Sequence, residues 1–138
     1  LIVHKIKSAL WIIKGKTIGV LGLAFKPDTD DIRSAPAIEL IDALQNEGAK
    51  IQVYDPKAMK KAKTVLSKVE FCRDPYAVCK GADCLLIATE WDEFKRLDMK
   101  KVKKLLKRPL VIDSRNIYEP ERMHKLGFHY LSVGRKSI

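Results

Sequence analysis

The five residues Cys84 to Ala88, CLLIA, are apolar without interruption and stand between a Gly-Ala-Asp segment and the polar pair Thr89-Glu90. So short a run, bounded on both sides by polar and turn residues, fits a strand covered on both faces, as in the middle of a parallel sheet. A parallel sheet needs helical crossovers, and helices on both faces, to bury its two apolar surfaces. This one segment therefore predicts an α/β chain and asks the flanking sequence to supply alternating strands and helices.

The flanks do so. Ile2, Ile6, Leu10 and Ile13 mark one face of an opening helix over Leu1 to Ile13, which Gly15 is expected to end. Ile18, Val20 and Leu21 read as a buried strand, with Gly19 and Gly22 permitting close backbone approach near its end. Ser34 is the expected N-cap and Pro36 the first turn of a helix carrying Ala37, Ile38, Ile41 and Leu44 as far as Gly48. Ile51 and Val53 alternate as a second strand, and Asp55-Pro56 opens the next helix. Lys68 to Phe71, Leu110 to Ile112 and Phe128 to Val133 are further strands, the last at an edge. Asp74-Pro75, Asp98 and Glu119-Pro120 open helices between them. The expected fold is a three-layer, Rossmann-like open sheet of five or six mostly parallel strands.

At 138 residues and 46% apolar content the chain can support a packed core. It opens on Leu1 within a periodic apolar segment, which suggests a piece of a longer polypeptide. Its apolar run Ala9 to Ile13 is far too short to cross a bilayer, so no membrane association and a cytoplasmic location are expected. The formal charge of +10 attracts polyphosphate in principle. The lysines, however, are set beside an apolar stripe, Lys57/60/61/63 along Ala58, Ala62, Val65 and Leu66, and Lys100/101/103/104/107 along Met99, Val102, Leu105 and Leu106. Solvated helix faces explain that pattern better than a nucleic-acid surface, and no aromatic platform is interleaved with it. Cys72, Cys79 and Cys84 show neither CxxC spacing nor paired histidines, which excludes a zinc motif and favours buried thiols.

Chemistry concentrates where strands hand over to helices. In Ile18 to Pro36, Lys26 and Arg33 add full charges to a loop that feeds a helix N-terminus, a natural place for an anion. Asp28, Asp30 and Asp31 read as loop-shaping and ion-pairing residues in preference to a metal or acid/base set. Asp55 has two readings, a helix cap or the acidic ribose ligand of a dinucleotide site. The cap is favoured, because the first loop has GxxG in place of GxGxxG. Trp91 and Phe94, in TEWDEF after the apolar strand, line a site or close the end of the core. Arg115, in DSRN after the next strand, carries a planar fork suited to phosphate oxygens; its other reading is a salt bridge with Asp113 or Glu119. The loops Phe25–Arg33, Thr89–Phe94 and Asp113–Asn116 are expected to share one rim.

The segments GKTIGVLGLAFKPDTDDIRSAPAIEL, EGAKIQVYDP, GADCLLIATEWDEF and VIDSRNIY, in this order over nearly the whole chain, closely resemble the carboxyl-terminal domain of the UDP-glucose/GDP-mannose dehydrogenase family. Within it the UDP-glucose 6-dehydrogenases are most similar. The resemblance implies a substrate-binding domain over residues 15–138, with residues 1–14 trailing from an absent central domain. It implies an NAD-dependent, two-step oxidation of UDP-glucose to UDP-glucuronate, with NAD held mainly by an absent amino-terminal domain and the full-length protein a homo-oligomer. Phe25 and Lys26 correspond to substrate contacts, Arg115 to an arginine on the sugar nucleotide, and Arg33 to an arginine reaching NAD. Ser34 departs from the Glu that often follows that arginine. None of the three cysteines has the context of the family nucleophile, so no catalytic residue and no metal ligand is expected in this chain, which should be inactive alone. The same domain from a GDP-mannose or UDP-N-acetylhexosamine dehydrogenase is the alternative, and a non-enzymatic basic interaction module a remoter one.

Overall fold

A computed structural model describes residues 2–133. In chain order the elements are α1 (Ile2–Leu10), β1 (Thr17–Leu21), α2 (Pro36–Asn46), β2 (Lys50–Tyr54), α3 (Met59–Ala62), β3 (Val69–Phe71), α4 (Pro75–Cys79), β4 (Cys84–Ile87), α5 (Asp92–Lys95), α6 (Met99–Leu105), β5 (Leu110–Asp113), α7 (Pro120–Lys125) and β6 (His129–Ser132). The six strands form one sheet in the order β3-β2-β1-β4-β5-β6, and every pair in it is parallel. The expected α/β fold is what forms, with all strands parallel and β6 at an edge.

The two-residue period of β4 explains why its sequence is wholly apolar. Cys84 and Leu86 enter one core with Ile18, Val20, Ile51, Val53, Leu110 and Ile112, under α1, α2 and α3. Leu85 and Ile87 enter the other with Leu21, Val111 and Tyr130, under α4 to α7. Strand order reverses between β1 and β4. In an open sheet of this kind the crevice beyond the carboxyl ends of those two strands is the natural ligand position.

Three local expectations are corrected. Helix α1 stops at Leu10, before Gly15, because Trp11 itself takes the left-handed conformation with φ 69°; Leu1 lies outside the described residues. Ile13 still reaches the core, so the apolar periodicity is real although its last member lies beyond the helix. Second, the N-cap of α2 is Ala35, not Ser34. Pro36 at the first helical position forces the preceding residue into extended backbone (ψ 123° at Ala35), and that places the cap one residue later; Ser34 is exposed with φ 53°. Third, the helix after Asp55-Pro56 begins only at Met59, following a turn, so only Lys60 and Lys61 of its lysines are helical. Asp74 and Asp98 cap as expected, each accepting two backbone N–H groups, whereas Glu119 makes no side-chain cap.

Gly19 explains how closely α4 sits on the sheet. A β-carbon on Gly19 would lie 2.6 Å from the Val78 carbonyl oxygen and 2.8 Å from Val78 Cγ1, so only hydrogen fits there. Among the described residues no helix is long and apolar enough to cross a membrane.

Candidate functional site

Two buried aspartates build the rim at the carboxyl ends of the strands. Asp55 follows β2 and is wholly buried. Its Oδ2 accepts from the backbone N–H groups of Leu23 (2.8 Å) and Ala24 (3.2 Å), and its Oδ1 from those of Lys57 and Ala58 (both 2.8 Å). One carboxylate thus ties the loop leaving β1 to the turn leaving β2. Both oxygens are committed to backbone, which speaks against a ribose ligand; what Asp55 caps is the turn after β2 and not a helix, since the N-cap of α3 is Ala58. Asp113 ends β5 and is equally buried. Oδ1 accepts from Arg115 N–H (3.0 Å), and Oδ2 from Ile117 N–H (2.9 Å), Tyr118 N–H (3.1 Å) and the Tyr130 hydroxyl (2.6 Å). Charge-assisted bonds of this kind fix loop backbone far better than water-exposed ones.

On that foundation the three predicted loops meet. Thr89 Oγ1 donates to the Ala24 carbonyl at 2.8 Å, and Ser114 Oγ to the Ile87 carbonyl at 2.6 Å. Arg115 Nη2 donates to the Phe25 carbonyl at 2.7 Å and stands 3.3 Å from Glu90 Oε1. The salt-bridge partner of Arg115 is therefore Glu90, and neither Asp113 nor Glu119. The Phe25 N–H donates to the Asp31 carbonyl at 3.3 Å, so the loop folds back on itself. Phe25 is 44% exposed at this rim, and Lys26 beside it is exposed and makes no ion pair among the described residues. Arg115 is thus joined to the Phe25 carbonyl, and Lys26 is the next residue of that loop. A cleft of about 430 Å³ is lined by Arg115, Ser114 and Ala88 together with Ile2 and Val3 of α1 and Pro36, Ala37 and Leu40 of α2; of Phe25, Lys26 and Arg115 only Arg115 lines it.

Arg33 lies further along the same loop, its side chain 89% exposed and paired through Nε (3.0 Å) and Nη2 (2.9 Å) with Asp31. The Arg33 side-chain bonds hold the Asp31 carboxyl well below the usual carboxylate range. Asp30 pairs with Lys61 at 3.2 Å, which bears out ion pairing for this acidic run, and among the described residues no cluster suited to a metal ion occurs. The start of α2 offers fewer N–H groups than the sequence suggested: Pro36 has none, Ile38 donates to the Ala35 carbonyl, and Glu39 faces the cleft.

Trp91 and Phe94 belong to the core. Phe94 is fully buried and stacks edge-on with Tyr54 at 6.2 Å, Trp91 is 7% exposed, and the Tyr118 hydroxyl donates to the Phe94 carbonyl at 2.6 Å. Of the rim residues, Thr89 and Glu90 escaped the sequence reading. Their position at the end of a central strand was the available signal, but TEWDEF drew the eye to its aromatic members.

All three cysteines are buried and free. Burial pushes the Cys72 thiol up to about 11 and Cys79 up to about 12, and raises Cys84 as well. None is a ready thiolate at neutral pH. A thiol whose folded value lies above its unfolded value near 9 contributes stability that is whole below about pH 9 and is lost as pH rises toward 11–12. Tyr54 and Tyr118, raised chiefly by burial, act in the same direction. The urea midpoint is accordingly expected to be lower at about pH 10.5 than at about pH 8, where native thiols should also resist alkylation; equal midpoints would contradict the burial argument.

Residues 19–120 match the model of the UDP-glucose/GDP-mannose dehydrogenase family, UDP binding domain. The chain is 46% identical over 138 residues to the UDP-glucose 6-dehydrogenase TuaD of Bacillus subtilis (strain 168), with 99% of this chain and 30% of that protein covered. It is 47% identical over 123 residues to a UDP-glucose 6-dehydrogenase of Rhizobium meliloti (strain 1021), covering 89% and 28%. Among solved structures, a UDP-glucose dehydrogenase from Pyrobaculum islandicum superposes with a TM-score of 0.82 at 32% identity, over 97% of this chain and 29% of that one. An NDP-N-acetyl-D-galactosaminuronic acid dehydrogenase from Methanosarcina mazei Go1 gives the same TM-score at 27% identity, over 97% and 28%. The chain spans less than a third of the length of these relatives.

Proposed function

Because this chain belongs to the UDP-glucose/GDP-mannose dehydrogenase family, we propose that it is the sugar-nucleotide-binding domain of an NAD-dependent UDP-glucose 6-dehydrogenase. The observation that carries this reading is the bond from Arg115, which lines an open cleft, to the Phe25 carbonyl just before Lys26, at the rim where strand order reverses. The cations suit the diphosphate, Lys26 as an uncommitted point charge and Arg115 as a fork. Phe25 supplies an exposed ring that can pack on a sugar or base.

Oxidation of the C6 alcohol to the carboxylate then falls to residues beyond this chain, since its three thiols are buried and protonated. NAD does not fit the dinucleotide position of this sheet. The loop after β1 lacks GxGxxG, and the carboxylate at the end of β2 is consumed by four backbone N–H groups. Arg33, exposed at the loop's outer edge, is the residue proposed to meet a cofactor held elsewhere in the polypeptide. Helix α1 is proposed to lead in from a central domain, although Ile6 and Leu10 pack in the core of this one. A homo-oligomeric, cytoplasmic enzyme completes the reading.

A second reading, favoured by the Methanosarcina mazei structure, gives the same site to a nucleotide-linked N-acetylhexosamine. Activity of the full-length enzyme on UDP-glucose, GDP-mannose and UDP-N-acetylhexosamines separates the two. For the nucleotide itself, NMR titration of the chain with UDP is expected to move resonances of Phe25, Lys26 and Arg115, and Lys26→Ala to weaken UDP about tenfold. Shifts confined to the α6–α7 face would sink the assignment.

A further inference from the structure

We propose that Glu90 is a positioning residue: it holds the Arg115 guanidinium in the orientation that clasps the Phe25–Arg33 loop and leaves Nε for a phosphate oxygen. The second half of this statement rests on the nucleotide reading given above.

Arg115 joins loops from three strands. Its backbone is fixed on Asp113 after β5, its Nη2 holds the Phe25 carbonyl after β1, and Glu90 comes from the loop after β4. Both side chains are mostly covered, with 28% of Arg115 and 36% of Glu90 exposed. Arginine and a carboxylate commonly meet through two parallel N–H···O bonds. Here Glu90 approaches only Nη2, at ion-pair distance and without hydrogen-bond geometry, while the buried Nε on the same edge of the fork has no hydrogen-bond acceptor among the described residues. Leaving a buried donor unmatched is costly, and an anionic ligand oxygen would match it.

Glu90 also accounts for this orientation of Arg115. Thr89 pins the Ala24 carbonyl, and Glu90, through Arg115, pins the carboxyl-side neighbour, Phe25. Two consecutive residues of one loop thereby hold two consecutive peptides of another. With the Phe25 N–H on Asp31, the peptide that precedes Lys26 is held at the Phe25 carbonyl only while Arg115 stays in place. A carboxylate beside an anion site carries a repulsive penalty. The proposal requires that its hold on Arg115 outweigh that penalty, and the sign of the effect decides the matter.

The test compares Glu90→Gln, Arg115→Lys and the double variant in the 138-residue chain, by calorimetric titration with UDP and by amide hydrogen exchange without ligand. Glu90→Gln is expected to weaken UDP about three- to tenfold and Arg115→Lys more. The double variant should bind no worse than Arg115→Lys, because the Gln change acts through Arg115. Exchange at Phe25–Arg33 should quicken in both single variants. Unchanged or tighter UDP binding in Glu90→Gln, or a full additive loss in the double variant, overturns the proposal. Failure of the parent chain to bind UDP overturns the nucleotide reading instead; unchanged exchange in Glu90→Gln then removes the clasp too.

Discussion

Asp113→Ala is expected to destabilise the chain by about 4 kcal/mol, since a buried donor left without its charged acceptor costs about 1–3 kcal/mol and three backbone donors lose this one. Those donors are the N–H groups of Arg115, Ile117 and Tyr118; the Tyr130 hydroxyl loses its shorter bond but keeps the Tyr118 carbonyl at 3.2 Å. Water can reach some of them once the side chain is gone, which is why the sum is not taken in full. For a chain of this size the melting temperature should fall by roughly 10 °C, measurable by circular dichroism. Asp113→Asn should do little better. Its one carbonyl oxygen cannot serve donors arriving from two sides, and its amide brings two further N–H groups into the same space. A loss of only a degree or two for either variant would show that the rim does not depend on this carboxylate. The same change frees the Arg115 backbone, so UDP binding should be lost along with stability.

Gly22→Ala is the second large effect, expected at about 3–5 kcal/mol from positive φ and overlap together. Gly22 has φ 106°, and its N–H is held by the Tyr54 carbonyl at 2.9 Å, so the backbone cannot rotate away without giving up that bond. An added β-carbon would overlap the Thr89 side chain and lie 2.7 Å from the Thr89 backbone nitrogen. Thr89→Ala should therefore rescue only part of the loss, because removing the hydroxyl leaves the backbone nitrogen in place. Full rescue in the double variant, read from urea denaturation, would mean that the φ angle and the backbone contact carry no cost.

The layered fold was legible because several independent rules agreed on it. CLLIA announced a strand covered twice, and Asp74-Pro75 and Asp98 each placed a cap where one forms. Errors arose where two local signals competed. Ser34 is the better capping side chain, but the backbone restriction imposed by Pro36 decided for Ala35. Gly15 is the better helix terminator, yet Trp11 takes the left-handed turn four residues earlier. The site was half legible. Lys26 and Arg115 stand out by charge and by position on strand-end loops. Asp55 reaching Leu23 and Ala24, Arg115 reaching Phe25, and Glu90 meeting Arg115 are contacts between distant segments, and nothing in local spacing encodes them. Trp91 could not be assigned from its neighbours, because an aromatic at a strand end closes a core as readily as it lines a cleft.

The reversal of strand order has a kinetic meaning as well. Strands β1 to β3 form one half of the sheet and β4 to β6 the other, and within the sheet they join only along β1 and β4, in a register that pairs Ile18 with Cys84. Closing the Ile18–Cys84 separation, twice that of Ile18–Ile51 within the first half, costs about 0.6 kcal/mol more loop-closure entropy. That small excess favours pairing within each half before pairing across the seam. Thr89 on Ala24 and Arg115 on Phe25 both bridge that seam. A chain in which the two halves have come apart therefore lacks both contacts.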